Sequence, residues 1–155
     1  MLVFRYKERD TQLDSHVIYD ASETAFNTYP IPNSDVYIII NYLNFGFNFD
    51  MIANNLWGLC PNYSWKRKKL VLPQYINGVV ILDGDYVSGN NYRIGKKEIW
   101  EQNFDEEQGY LCVGNCKHEL GDVSIKCLNE VIATINNENL KALWIKVTKS
   151  KVKNS

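Results

Sequence analysis

The run GDVSIKCLNEVIATINNENLKALWIKV, residues 121–147, decides how the chain is read. Glu, Ala, Leu and Lys in EVIATI and LKALWIKV favour helix on propensity alone. Three features argue for strands instead. Val123, Ile125 and Cys127 fall on one side of an alternating run, with Ser124 and Lys126 on the other. The apolar runs are four to eight residues long, as strands are. Asn136, Asn137, Glu138 and Asn139 form a polar turn between the last two. The reading is therefore consecutive antiparallel strands.

Working outward, YLCVG precedes this run as a further strand, and LVFRY opens the chain as another. In QLDSHVIYD, Leu13, Ser15, Val17 and Tyr19 share one face and His16 takes the other, a solvated or edge position. VYIIINY, β-branched and aromatic, reads as a buried strand. ASETAFNTYP reads as a brief helix, capped by Asp20 or Ser22 and ended near Pro30. NFGFNFDMIANNLWGLCP is divided: its phenylalanines alternate as in a strand, whereas DMIANNLWG suits a helical turn or two before Gly58 and Pro61. GVVILDGDYVSG has the form of a hairpin about Asp83-Gly84. The fold expected is α+β, a predominantly antiparallel sheet of sandwich or half-barrel type with one to three short helices. Residues 1–148 would form one domain and 149–155 a basic tail.

With 155 residues, 45% hydrophobic and 23% charged, the chain can build a core without a disulfide or metal. No apolar run reaches the roughly 20 residues of a membrane span, and MLVFRYKERD lacks the apolar centre of a secretory signal. A cytoplasmic location is expected, with its four cysteines reduced.

Cys112, Cys116, His118 and Cys127 could be arranged on paper as a Cys3His zinc site. His118 follows Cys116 too closely for a second ligand knuckle, and Cys112 lies within an apolar strand. Cys112 and Cys127 are read as buried hydrophobes on neighbouring strands of a hairpin, and Cys116 and His118 as residues of its connecting turn. No metal, cofactor or catalytic residue is assigned. Nothing in the sequence recommends Cys60 with His16 as nucleophile and base, Asp83 and Asp85 suit a turn, and neither common phosphate-binding glycine motif occurs. The expectation is a protein that is not an enzyme.

Charge is unevenly distributed. The chain carries a net −1, yet residues 98–140 hold nine acids against two bases, a local −7, while KRKK at 66–69 and the tail are basic. In EIWEQNFDEEQGY, Glu98, Glu101, Asp105, Glu106 and Glu107 alternate with Ile99, Trp100, Phe104 and Tyr110. Acids that steer an encounter and rings that anchor it are what a surface needs to capture a basic partner. Glu98, Trp100, Glu101, Asp105, Glu106, Glu107 and Tyr110 are the expected partner-binding residues. Two alternatives stand beside this. One is a small-ligand domain with a pocket lined by tyrosine and tryptophan. The other is a single-strand nucleic-acid binder using Arg67, Lys68 and Lys69 after Trp65, which the surplus of acids and a pI near 6.1 disfavour.

The last third, YLCVGNCKHELGDVSIKCLNEVIATINNENLKALWIKV, together with the small size and the acidic aromatic loop, resembles the immunity proteins of bacterial toxin systems, including contact-dependent growth inhibition. The resemblance is one of texture. These proteins share no motif, so it assigns no residue a role. It implies stoichiometric neutralisation of a toxin domain, typically a basic nuclease, by covering its active site or substrate groove.

Overall fold

The strands within residues 121–147 pair as consecutive hairpins, and YLCVG pairs with the last of them, in a computed structural model that describes residues 1–10, 13–94 and 99–148. In chain order the elements begin with β1 (Leu2–Glu8), β2 (His16–Asp20), β3 (Ala25–Tyr29), β4 (Val36–Ile40), β5 (Leu43–Phe47) and β6 (Ala53–Leu59). A 3-10 turn over Asn62–Ser64 leads to β7 (Lys66–Arg67), β8 (Ile76–Gly84) and β9 (Asn91–Arg93). Five more follow: β10 (Gln102–Asp105), β11 (Tyr110–Gly114), β12 (Val123–Leu128), β13 (Val131–Asn136) and β14 (Asn139–Lys146).

They form two mixed, mostly antiparallel sheets. One has the order β1-β8-β12-β13-β14-β11-β10-β7, the other β2-β3-β6-β5-β4-β9. The parallel contacts are β8 on β12, β7 on β10 and β9 on β4. Both sheets contribute to one core: Phe4, Leu82, Ile125, Val131 and Leu143 from the first, Tyr19, Phe26, Ile38, Phe45 and Leu56 from the second. The Phe4 and Phe47 rings meet across it at 6.3 Å. Direct links join the sheets, since Ile52 bridges to Ile81 and the Tyr19 N–H donates to the Thr148 carbonyl.

β13 is buried at five successive positions, on both faces. Its outer face is covered by residues 68–75, which pass from β7 at one edge of the sheet to β8, the second strand from the other edge. Leu70 on this strap closes a second, smaller core with Cys112, Ile132, Ala142 and Trp144. That two-sided burial explains why EVIATI lacks the polar alternation of a strand with one wet face.

The expected helices are absent among the described residues, apart from the 3-10 turn. After Asp20, whose Oδ1 accepts from the Ser22 and Glu23 N–H groups, the chain turns through Thr24 at φ +52° and becomes β3. The cap was read correctly, but it closes a turn. A helix of so few residues does not recover its nucleation cost, whereas β3 gains a partner on each side. DMIANNLWG likewise turns, on Asn48 Oδ1 accepting from the Asp50 and Ile52 N–H groups, and continues as β6. The hairpin expected at Asp83-Gly84 is replaced: β8 pairs with β1 from Leu2↔Gly84 to Glu8↔Gly78. Seven residues of non-local ladder displace the short local return. The basic tail from 149 onward lies outside the described residues.

Candidate binding cleft

β7 ends one sheet and β9 ends the other, and a cleft of about 780 Å3 lies where Lys66, Arg93 and Gln102 approach one another. Its rings come from two turns and from the segment that leads into β10. Tyr42 sits in the two-residue turn between Ile40 and Leu43, which Asn41 allows by taking φ +55°. Tyr63 sits on the 3-10 turn, braced by Ser64 Oγ donating to the Pro61 carbonyl at 2.7 Å and to Gln102 Oε1 at 3.3 Å. Beneath this turn Trp65 is buried among Tyr19, Phe26 and Phe104, so Tyr63 is turned outward.

Trp100 forms the floor, half-buried against the main core. Asn41 clamps its backbone from both sides: Trp100 N–H donates to Asn41 Oδ1 at 2.8 Å, and Asn41 Nδ2 donates to the Trp100 carbonyl at 3.0 Å. The Gly114 N–H donates to the Glu101 carbonyl at 2.8 Å. Gly114 has φ +120°, and a Cβ there would meet the Lys141 carbonyl and lie 2.9 Å from Trp100 Cε3. Only glycine permits the indole to lie this close.

The rim is strongly apolar and open to solvent: Tyr63 is 83% exposed, Ile99 79%, Tyr42 69% and Leu59 54%. Lys66, Arg93 and Glu101 are its ionisable groups, and none of them has an ion-pair partner among the described residues. One Arg93 guanidinium nitrogen donates to the Asn41 carbonyl at 2.7 Å.

The partner-binding residues read from sequence separate. Trp100 and Glu101 line the cleft. Glu98 lies outside the described residues. Asp105 is not a surface charge. It is 4% exposed and caps the strap, accepting from the Leu70 N–H at 2.9 Å and from the Gln108 backbone and side chain at 3.0 and 2.7 Å. These bonds, Leu70 first, hold its carboxyl down at about 2. Glu106 is paired with Arg67 at 3.0 Å, and Glu107 is exposed. Tyr110 belongs to the outer core, with Lys146 Nζ 5.1 Å from its ring centroid and its phenol pushed up by burial. Glu101 and Glu106 flank β10, roughly 16 Å apart along an extended strand.

The segregation of charge in sequence does not survive folding. β7 lies parallel to β10, so Arg67 faces Phe104, stacks its guanidinium over that ring at 5.2 Å and meets Glu106. Lys141 takes Asp122 and Glu119 at 2.7 and 2.8 Å, and Arg5 takes Glu138 at 2.7 Å. His16, on the exposed edge strand, meets Glu130 at 2.7 Å. Of the nine acids in 98–140, Glu101 and Glu107 are the described ones with neither an ion pair nor an internal capping role.

Cys112 and Cys127 are buried as expected, but the hairpin expected between them is not formed: β13 and β14 lie between β11 and β12 in the sheet, because β12 pairs with β13 and β11 with β14. Cys112 lies in the outer core and Cys127 in the inner, on opposite faces of one sheet, so these two cannot share an ion. Burial pushes the Cys60 thiol up to about 11 and Cys127 to about 12, and raises Cys112 as well. Cys116 and His118 lie in the turn after β11. Lys68 Nζ is 3.9 Å from the Cys116 sulfur, and His118 Nε2 contacts the Val71 carbonyl of the strap at 2.6 Å. Asp83 and Asp85 are paired with Arg5 and the N-terminus. No helix among the described residues is long and apolar enough to cross a membrane.

Tyr42, Leu59, Tyr63 and Arg93 went unrecognised in the sequence, and Lys66 was noted only as part of the basic KRKK run. They lie on five separate segments, and no spacing signals that these converge. Ile99, flanking Trp100 in the acidic run, was the one legible hint. The chain matches no protein-family model, and no curated protein shows significant similarity to it.

Proposed function

We propose that the chain is a protein-binding module that neutralises its partner by stoichiometric docking, as the immunity-protein resemblance implies, with the cleft as its anchor point. The observation that supports this is the convergence of Tyr42, Leu59, Tyr63 and Ile99, each more than half exposed, around Trp100. Clustered rings and aliphatics left open to water are characteristic of binding surfaces. Aromatic anchors beside well-packed neighbours dominate interface energy.

The agency of docking thus moves from carboxylates to apolar anchors. With Asp105 internal and Glu106 already paired, the acidic face among the described residues is reduced to Glu101 and Glu107 at opposite ends of β10. The test is co-expression with the polypeptide of the adjoining reading frame, followed by size-exclusion chromatography and calorimetry. A one-to-one complex weakened by Tyr63→Ala and Ile99→Ala, and indifferent to Glu106→Gln, is expected. A complex insensitive to both cleft substitutions refutes the assignment.

A second reading is supported by the cleft volume. About 780 Å3 falls within the range of small-molecule sites, and the lining carries the tyrosine and tryptophan rings expected of one. Protection of Trp100 fluorescence by a metabolite library would favour that occupant. For nucleic acid, Arg67 is engaged with Glu106 and Phe104, which takes one of the four cations of the basic cluster out of a phosphate-binding row.

A further inference from the structure

Resting on the docking reading, we infer that the occupant of the cleft is an extended peptide segment of the partner, carrying large apolar residues alternating with at least one carboxylate, which adds a strand to β7. Three observations lead there. First, β7 is the terminal strand of its sheet. Its pairing with β10, together with the Lys68 N–H donating to the Phe104 carbonyl at 3.0 Å, turns the backbone of Lys66 and Lys68 inward. By the alternation of a strand, the Arg67 N–H and C=O then point outward. An open edge beside a cleft is the geometry of strand addition, in which main-chain bonds hold the segment and every second side chain enters the pocket.

Second, apolar anchors gather at one end of this edge. Tyr63 lies on the 3-10 turn that leads into β7 and Ile99 precedes Trp100, Glu101 and β10, and because β7 and β10 run parallel both stand at the end where the strands begin. Third, the charge on the described rim favours an anion. Lys66 and Arg93 stand against Glu101, a surplus of one positive charge, and Lys68 and Lys69 continue exposed beyond β7. Complementarity therefore asks for a carboxylate in the segment, the reverse of the basic partner that the sequence suggested.

The test pans a phage-displayed library of random dodecapeptides against the full chain. Enriched peptides should alternate Trp, Tyr, Leu or Ile with Asp or Glu. A synthetic copy should bind wild type and lose about tenfold or more on Tyr63→Ala, as for an interface anchor, and comparably on Lys66→Glu. Methylating alternate peptide nitrogens should weaken it as much, and the Arg67 amide should shift in a nitrogen-edited NMR spectrum on binding. Enrichment of Lys- or Arg-bearing peptides, binding indifferent to N-methylation, or no enrichment over a Tyr42→Ala/Tyr63→Ala double variant each overturns the inference. None of these outcomes touches the docking reading, which stands or falls on the Tyr63 and Ile99 dependence of the partner complex. Both residues are exposed, so these substitutions leave the fold intact.

Discussion

Leu70→Ala is the perturbation that best separates the strap from an ordinary surface loop. Leu70 is 7% exposed and closes the outer core over Cys112, Ile132, Ala142 and Trp144. The substitution removes three carbons, about 2.4 kcal/mol at about 0.8 kcal/mol per buried methylene. The residual cavity adds to this, and the usual range for buried leucines is about 2–5 kcal/mol. The strap lies at the surface and can settle inward, so the lower part of that range, about 3 kcal/mol, is expected. For a chain of this size that corresponds to a fall in Tm of about 6–12 °C. Urea denaturation followed by tryptophan fluorescence measures it. Alkylation of Cys112 in the native state gives a second reading, because its thiol is covered by the same side chain and should react faster in the variant. A stability loss under about 1 kcal/mol, with Cys112 still inert, would show that residues 68–75 do not close a core, and the account of two-sided burial in β13 would fall.

The strap also predicts an acid transition. Asp105 titrates near 2 folded against an ordinary 3.8, so its contribution is complete above about 3.8 and is lost as pH falls from there toward 2. Asp105→Asn should flatten the pH dependence of unfolding in that window, and an unchanged profile would contradict the capping role. Thiol labelling of the native protein should give a single adduct, at Cys116, with all four cysteines reacting after denaturation; mass spectrometry of the digest reads it, and labelling of Cys60 or Cys127 in the native state would contradict their burial. Gly114→Ala should cost about 1–3 kcal/mol from strain at positive φ and displace Trp100, which its emission maximum would report. A silent variant would mean that Gly114 does not set the position of the cleft floor.

Legibility from sequence followed locality. β12, β13 and β14 were readable because each carries its own pattern and its partner comes next in the chain. Cys112 and Cys127 were readable as core because they sit within apolar runs. Segment 21–30 was misread and 50–58 left divided because their capping and turn residues suit a helix start and a strand turn equally. The choice was made by β3 and β6, which pair with each other. Asp83-Gly84 was misread because β1, some eighty residues away, claims β8. Two residues of the candidate site, Trp100 and Glu101, were found through the composition of their segment, while Asp105 shows where composition fails: an acid in an acidic run can serve a backbone N–H rather than the solvent.

From its residues alone this chain declared a β-rich architecture, incidental cysteines and one aromatic, acid-bearing segment worth inspection, because alternation and turn chemistry act over a few neighbouring residues. Only the folded chain decided which strands are edges, which acids meet their own lysines and arginines, and where exposed rings gather. Those are properties of distance in space, and here they depend on β7 and β9 closing their sheets beside Trp100 after crossings that no local pattern encodes.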